Sequence, residues 1–230
     1  MPRPRSGGGR GLSAAARSGK RLVVIPMKDP TRAKTRLDPT LSPERRATLA
    51  LTLFRATVAR AQEALALLPG GGVEIAVVTS SPKITRLARA MGLSLVDEGA
   101  PRGRSEALEP AADWAAGRGY GAICVLPGDL AAPKPTELAR LLAHDLSGGQ
   151  MVLCPAEDLG TNALLAPLPC PFRFAYGVKS VVAHRQAAEA AGLCPVMLPL
   201  ASLRADVDTA DDLQHLLAHQ PQLLMQEAAR

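Results

Sequence analysis

Apolar residues along this chain follow two alternating rhythms. Mostly apolar runs of strand length occupy residues 22–27, 73–79, 93–96, 122–126, 151–154 and 196–200. Such runs suit strands covered on both faces. Between them, apolar positions recur every three or four residues, the period of a helix with one buried face. The first of these stretches begins with Ser42-Pro43-Glu44, which supplies an N-cap, a proline at the first helical position and an acid in the first turn. Leu49, Leu53, Val58, Ala61, Leu65 and Leu68 share its apolar face, and Pro69-Gly70-Gly71-Gly72 ends it. Further helices are expected over 82–91, 106–116, 135–142, 180–191 and 210–218. Strands alternating with helices predict a single α/β domain with an open, mostly parallel twisted sheet and helices on both faces. Ligands of such sheets bind beyond the carboxyl ends of the strands. Pro26-Met27-Lys28 and Pro127-Gly128-Asp129 lie at two such ends.

Composition refines this picture. The 230 residues fit one domain and are 47% hydrophobic but only 3% aromatic, so the core must be aliphatic. The net charge of +6 at first suggests a nucleic-acid partner, but its distribution argues against one. Six of the 27 basic residues lie in residues 1–21, which hold no acid; the remainder balances at 21 basic to 21 acidic. A nucleic-acid-binding fold is expected to keep a basic face on the fold itself. The Gly-, Ser- and Arg-rich stretch 1–21 is expected to be a disordered tail, leaving 22–230 as the domain. That stretch lacks the apolar core of a secretory signal, and no run is long enough to span a membrane. Cys124, Cys154, Cys170 and Cys194 form no CxxC pair, which predicts reduced thiols and a cytoplasmic protein.

Four segments carry candidate chemistry. In Asp206-Val207-Asp208 the two carboxylates stand at alternate positions and leave an extended backbone on one face. They repel unless a cation lies between them, and with Asp129 they suggest a hard divalent ion. The alternative is that Thr209 to Asp212 only opens the last helix. Lys28, Arg32, Lys34 and Arg36 place four cations in nine residues after the first strand, where they can wrap a polyphosphate or simply form a solvated loop. Gly160-Thr161-Asn162 reads as a tight turn offering small polar groups. Gly177-Val178-Lys179-Ser180 precedes a helix for which Ser180 is a natural N-cap, and the helix start could hold a phosphate. His184, one turn on, reads as a surface or packing histidine. There is no GxxxxGK[ST] and no GxGxxG, so neither a P-loop nor a dinucleotide fingerprint supports the chain.

Taken in order, these segments resemble the guanylyltransferases of coenzyme F-420 biosynthesis. The matching pieces are Lys28 with Ala33-Lys34-Thr35-Arg36-Leu37, Leu126-Pro127-Gly128-Asp129, Gly160-Thr161-Asn162-Ala163-Leu164, Gly177 with Ser180, and Asp206-Val207-Asp208-Thr209 with Asp212-Leu213. The resemblance implies a GT-A-like nucleotidyltransferase fold. It also implies transfer of GMP from GTP to the phosphate of 2-phospholactate, phosphoenolpyruvate or 3-phosphoglycerate, with release of pyrophosphate. On this reading Asp129, Asp206 and Asp208 hold Mg2+, Lys28, Lys34 and Arg36 hold the triphosphate, and Thr161, Gly177 and Ser180 hold the acid. The partners are GTP and the acid, with no nucleic acid and no membrane, and a homodimer is the candidate assembly. The alternatives are a related nucleotidyltransferase using another NTP or a sugar phosphate, and a non-catalytic nucleotide-binding relative. The chain departs from the family at Arg104-Ser105-Glu106, where Gly-Leu-Asn before an Ala-Leu helix is common, at Val178-Lys179 in place of small residues, and at Leu159 and Ala131, where glycine and proline are common. Lys179 is expected to alter acid preference.

Overall fold

The computed structural model describes residues 19–99 and 103–219. Apart from Gly19, Lys20 and Arg21, the tail expected to be disordered lies outside these residues. Seven strands form one sheet: β1 (Arg21–Pro26), β2 (Val73–Val78), β3 (Ser94–Val96), β4 (Ala122–Val125), β5 (Gln150–Pro155), β6 (Thr161–Pro167) and β7 (Cys194–Met197). Their spatial order is β3-β2-β1-β4-β6-β5-β7. Every pairing is parallel except those of β6, which runs antiparallel to both β4 and β5. The helices are α1 (Pro43–Ala66), α2 (Pro82–Ala90), α3 (Arg104–Gly117), α4 (Pro135–Leu142), α5 (Ser180–Ala190) and α6 (Ala210–His219).

Alternate strand residues feed two layers, as a sheet buried on both faces requires. Val23, Ile25, Cys124 and Leu165 point into a cluster with Phe54 and Val58 of α1, Ile84 of α2 and Leu138 of α4. Leu22, Val24, Ile123 and Leu164 point into the other, with Leu108 and Ala112 of α3 and Val181 of α5. A third, smaller cluster joins Leu37, Leu49, Leu53, Val207, Leu213 and Leu216. It packs α6 against the outer flank of α1 and anchors both the basic loop, through Leu37, and the acidic segment, through Val207. At the start of α1, Ser42 accepts the Arg45 N–H and Pro43 occupies the first turn, as the sequence predicts.

Two expectations need correction. Thr161 and Asn162 do not form a turn: they begin β6, whose first six residues are buried. The segment Ala-Leu-Leu-Ala has no β-branched residue to mark it as a strand; its place between β4 and β5 decides its conformation. Ser180 is not the N-cap of α5. Lys179 holds that position in a left-handed conformation (φ 53), and Ser180 is the first helical residue.

The chain turns from β1 outward to β2 on one side and places β4 on the other, so the crevice beyond β1 and β4 is a topological switch point. Gly128, after β4, sits where a Cβ would come within 3.2 Å of Phe54 and 3.3 Å of Ile25. That close approach brings Asp129 to the edge of the sheet. No described helix is long and apolar enough to cross a membrane.

Candidate active site

A cleft of about 290 Å³ opens at the switch point, lined among others by Lys28, Lys34, Arg36, Arg104, Asp129 and Asp208. The basic loop that forms one wall is built locally. Asp29 accepts hydrogen bonds from the Thr31 N–H and hydroxyl and from the Ser81 hydroxyl, which ties the loop to the start of α2. Buried Arg46 of α1 donates to the Ala33 carbonyl and pairs with Asp38 at 2.6 Å. Lys34 takes a left-handed backbone conformation (φ 56) that turns its side chain inward.

The Lys34 ammonium lies 2.6 Å from Asp129 Oδ2 and 2.9 Å from Asp208 Oδ1, and its side chain is only 3% exposed. Arg36 is mostly exposed and approaches Asp208 at 3.9 Å, a weaker contact. Asp129 and the acidic segment meet through the backbone. Leu130 bridges Asp206 antiparallel, Val207 N–H donates to the Asp129 carbonyl, and Ala131 N–H donates to the Ala205 carbonyl. Val207 is fully buried, so Asp206 and Asp208 both turn away from the third cluster. Behind them Thr209 and Asp212 close a reciprocal cap: Asp212 accepts the Asp208 and Thr209 N–H groups, and Asp212 N–H donates to the Thr209 hydroxyl. Asp206 and Asp208 thus lie directly before the entrance of α6, in one segment with its cap.

Electrostatics follow from this arrangement. Burial pushes the Asp206 carboxyl up to about 6, reinforced by Asp129 and Asp208. Burial acts the same way on Asp129, but Lys34 and then Arg104 overcome it and hold that carboxyl below its usual range. Burial opposes the charge on Lys34, and Asp129 and Asp208 outweigh it, so its pKa is raised. Three carboxylates against one buried ammonium leave a surplus of about two negative charges once Asp206 ionises, which suits one divalent cation. Asp129 Oδ1 is buried without a hydrogen-bond partner, an orphaned hard donor of the kind such an ion takes. The donor set therefore fits the chemistry, although no group of three acids, histidines or cysteines among the described residues is gathered as a ready metal cage.

Thr161 and Ser180 meet at a second, uncharged node away from the cleft lining. The Ser180 hydroxyl donates to Thr161 Oγ1 at 3.1 Å, and both residues are almost fully buried. Gly177, in the loop between β6 and α5, has φ 153, a conformation that residues with a side chain rarely adopt. Fully buried His184 completes the node, 2.9 Å from Thr161 Oγ1 through Nδ1, while its Nε2 accepts the Ala175 N–H at 2.9 Å. Burial lowers its pKa to about 4, with the Ser180 backbone acting weakly the other way. The sequence reading of His184 as a surface or packing residue assigns it no part in such a node. The signal was its place four residues after Ser180, which puts both on one helix face.

Arg104 and Tyr176 link the two nodes. The Arg104 guanidinium, in the cleft wall, lies 5.5 Å from the Tyr176 ring centre, and the Tyr176 ring meets His184 edge-on at 4.6 Å. Tyr176 N–H donates to the Ser105 hydroxyl. The segment that departs from the family pattern is thus the bridge between the two halves.

A switch-point cleft with a cationic wall and clustered carboxylates on this strand order defines a nucleotidyltransferase of the GT-A-like class. A nucleotidyl transferase of Methanothermobacter thermautotrophicus shares the fold, with a TM-score of 0.61 at 18% identity, over 90% of this chain and 99% of that one. Residues 21–227 match the family model "Guanylyl transferase CofC like", and the chain belongs to that family. It is 38% identical to a 3-phospho-D-glycerate guanylyltransferase of Colwellia psychrerythraea, over 84% of this chain and 90% of the relative. It is 34% identical to a phosphoenolpyruvate guanylyltransferase of Rubrobacter xylanophilus, over 86% and 93%. It is 30% identical to a 2-phospho-L-lactate guanylyltransferase of Methanothermobacter thermautotrophicus, over 87% and 85%.

Proposed function

We propose that this enzyme transfers GMP from GTP to the phosphate of a small phosphorylated three-carbon acid and releases pyrophosphate, as a step of coenzyme F-420 biosynthesis. The observation that carries the reading is the Lys34 ammonium clasped between Asp129 and Asp208 at the ends of β1 and β4. An oxygen of the acid's phosphate attacks the α-phosphorus of GTP. A new P–O–P linkage forms as the bond to the β-phosphate breaks. The attacking oxygen is already ionised at neutral pH, so no general base is required. Both reactants are anions, and catalysis consists of positioning and charge neutralisation. Lys28 and Arg36 hold the triphosphate from the cleft wall, and Lys34 adds its charge beside the carboxylates. Asp129, Asp206 and Asp208 would hold Mg2+, which when bound supplies further neutralisation of the phosphates. Thr161, Gly177 and Ser180 hold the acid. A cytoplasmic setting accords with four free cysteines, two of them buried; GTP and the acid are the partners, and neither nucleic acid nor membrane is one.

The test is pyrophosphate release by the purified protein with Mg2+, each NTP being paired with each of the three acids. Turnover confined to GTP with one or more of the acids is expected. No turnover in any pair would sink the reading, and preference for another NTP would redirect it to the base side of the cleft.

A further inference from the structure

The hydroxyl node contains more donors than its internal contacts use. Ala175 N–H points at His184 Nε2, which must therefore be the unprotonated nitrogen. The neutral imidazole then carries its proton on Nδ1 and donates it to Thr161 Oγ1. Thr161 Oγ1 and Ser180 Oγ share one further hydrogen bond. Three protons (on Nδ1, Thr161 and Ser180) thus serve two contacts. One hydroxyl proton stays uncommitted whichever way the Thr161–Ser180 bond runs. The opposite tautomer would give another count: Thr161 would donate to Nδ1, Ser180 to Thr161, and no proton would remain.

We propose that His184 is a positioning residue for the acid: its Nδ1–H tautomer, set by the Ala175 amide, leaves the Thr161–Ser180 pair with one hydroxyl donor for an anionic oxygen of the phosphorylated substrate. This rests on the reading of Thr161 and Ser180 as acid-binding residues. Three features make the device stable. His184 is fully buried, and Tyr176 packs edge-on to its ring, so the imidazole cannot rotate without disturbing the core. The same burial keeps the ring neutral; a second ring proton would face the Ala175 N–H, donor against donor. The node also ties three segments, the start of β6, the 175–179 loop and the first turn of α5, where Val181 N–H donates to the Leu159 carbonyl. The acid therefore meets a hydroxyl pair that already holds one free donor before it binds, which lowers the ordering cost of binding.

Proton–nitrogen correlation NMR of the imidazole tests this in the unmodified protein without substrate, His184 being assigned by the signal lost in His184→Gln. The Nδ1–H tautomer is expected at neutral pH; the Nε2–H tautomer overturns the proposal. Kinetics supply the second readout. His184→Phe keeps the ring and loses both hydrogen bonds, and is expected to lower kcat/KM for the acid by about 10- to 100-fold, the range for a hydrogen bond to a charged group. The KM for GTP should stay unchanged, and His184→Gln, with a donor and an acceptor of its own, should recover part of the loss. Equal losses for acid and GTP, or no loss, would overturn the positioning role. Should His184→Phe fail to fold, the tautomer and His184→Gln decide. If the unmodified enzyme turns over none of the acids, the functional reading fails, while the tautomer still upholds or refutes the proton count.

Discussion

The two nodes of this site solve opposite problems. At the cleft, Lys34, Asp129 and Asp208 are charged, and Asp208 keeps 40% of its side chain exposed. At the hydroxyl node, Thr161, Ser180 and His184 are uncharged and almost wholly buried. The first can exchange cations and ligands because water reaches it and its charges are only partly balanced. The second holds no charged group of its own, so it acts on a ligand only through its hydrogen bonds. A reaction between two anions can use both: positive charge where pyrophosphate leaves, and a neutral hydroxyl donor for the acid.

Removing the cation should break the charged half most severely. Lys34→Met keeps length and apolar stem but leaves Asp129 and Asp208 facing each other. The pyrophosphate-release rate should fall by at least about 100-fold, as for loss of a preorganised electrostatic contact. Urea unfolding should show a loss of about 1–3 kcal/mol, below the full cost of breaking a buried pair because Asp208 is partly hydrated. A Lys34→Met enzyme with unchanged rate would remove Lys34 from the machinery.

The buried half should show itself in pH. His184 takes up a proton only near 4 in the fold, against 6.5 for an unperturbed histidine. Between these values the unfolded chain binds more protons, so the histidine's contribution is fully present above about pH 6.5 and is lost as pH falls toward 4. Comparing urea melts of the protein and His184→Gln across this window should reveal a pH-dependent difference of up to about 3 kcal/mol. Parallel curves would contradict a neutral, buried imidazole.

A smaller effect is expected at the turn that leads into β6. Leu159 has φ 67 and is about half exposed, in the conformation glycine adopts freely. Leu159→Gly should stabilise the protein by about 0.5–1 kcal/mol in a thermal melt without changing either KM. A change in the acid's KM alone would show that this turn also shapes the acid's half of the site.

Much of the fold was legible because local signals agreed with global ones. The run at 22–27 is β1, Ser42-Pro43-Glu44 starts α1, and Pro127-Gly128-Asp129 sits at the end of β4. What escaped depended on contacts distant in sequence. β6 is a strand because β4 and β5 flank it, not because Ala and Leu favour strands. Lys34 reads as one cation of the basic loop, and its carboxylate partners lie 95 and 174 residues further along the chain. Ser180 looked like a cap because its type suits one, but its hydroxyl is held by Thr161, and Lys179 takes the cap position instead. His184 had a readable i, i+4 relation to Ser180, but nothing local tells a buried histidine from a surface one.

The division of labour between the two nodes is tested most directly by measuring kcat and both KM values for Asp208→Asn and Thr161→Val in the same pyrophosphate-release assay. Asp208→Asn should lose about 100-fold in kcat with every acid, through weakened charge stabilisation. Thr161→Val, which keeps the side-chain shape, should raise the acid's KM by about tenfold or more and leave the KM for GTP unchanged. Two variants with the same kinetic defect, or an Asp208→Asn enzyme as fast as the unmodified one, would contradict it.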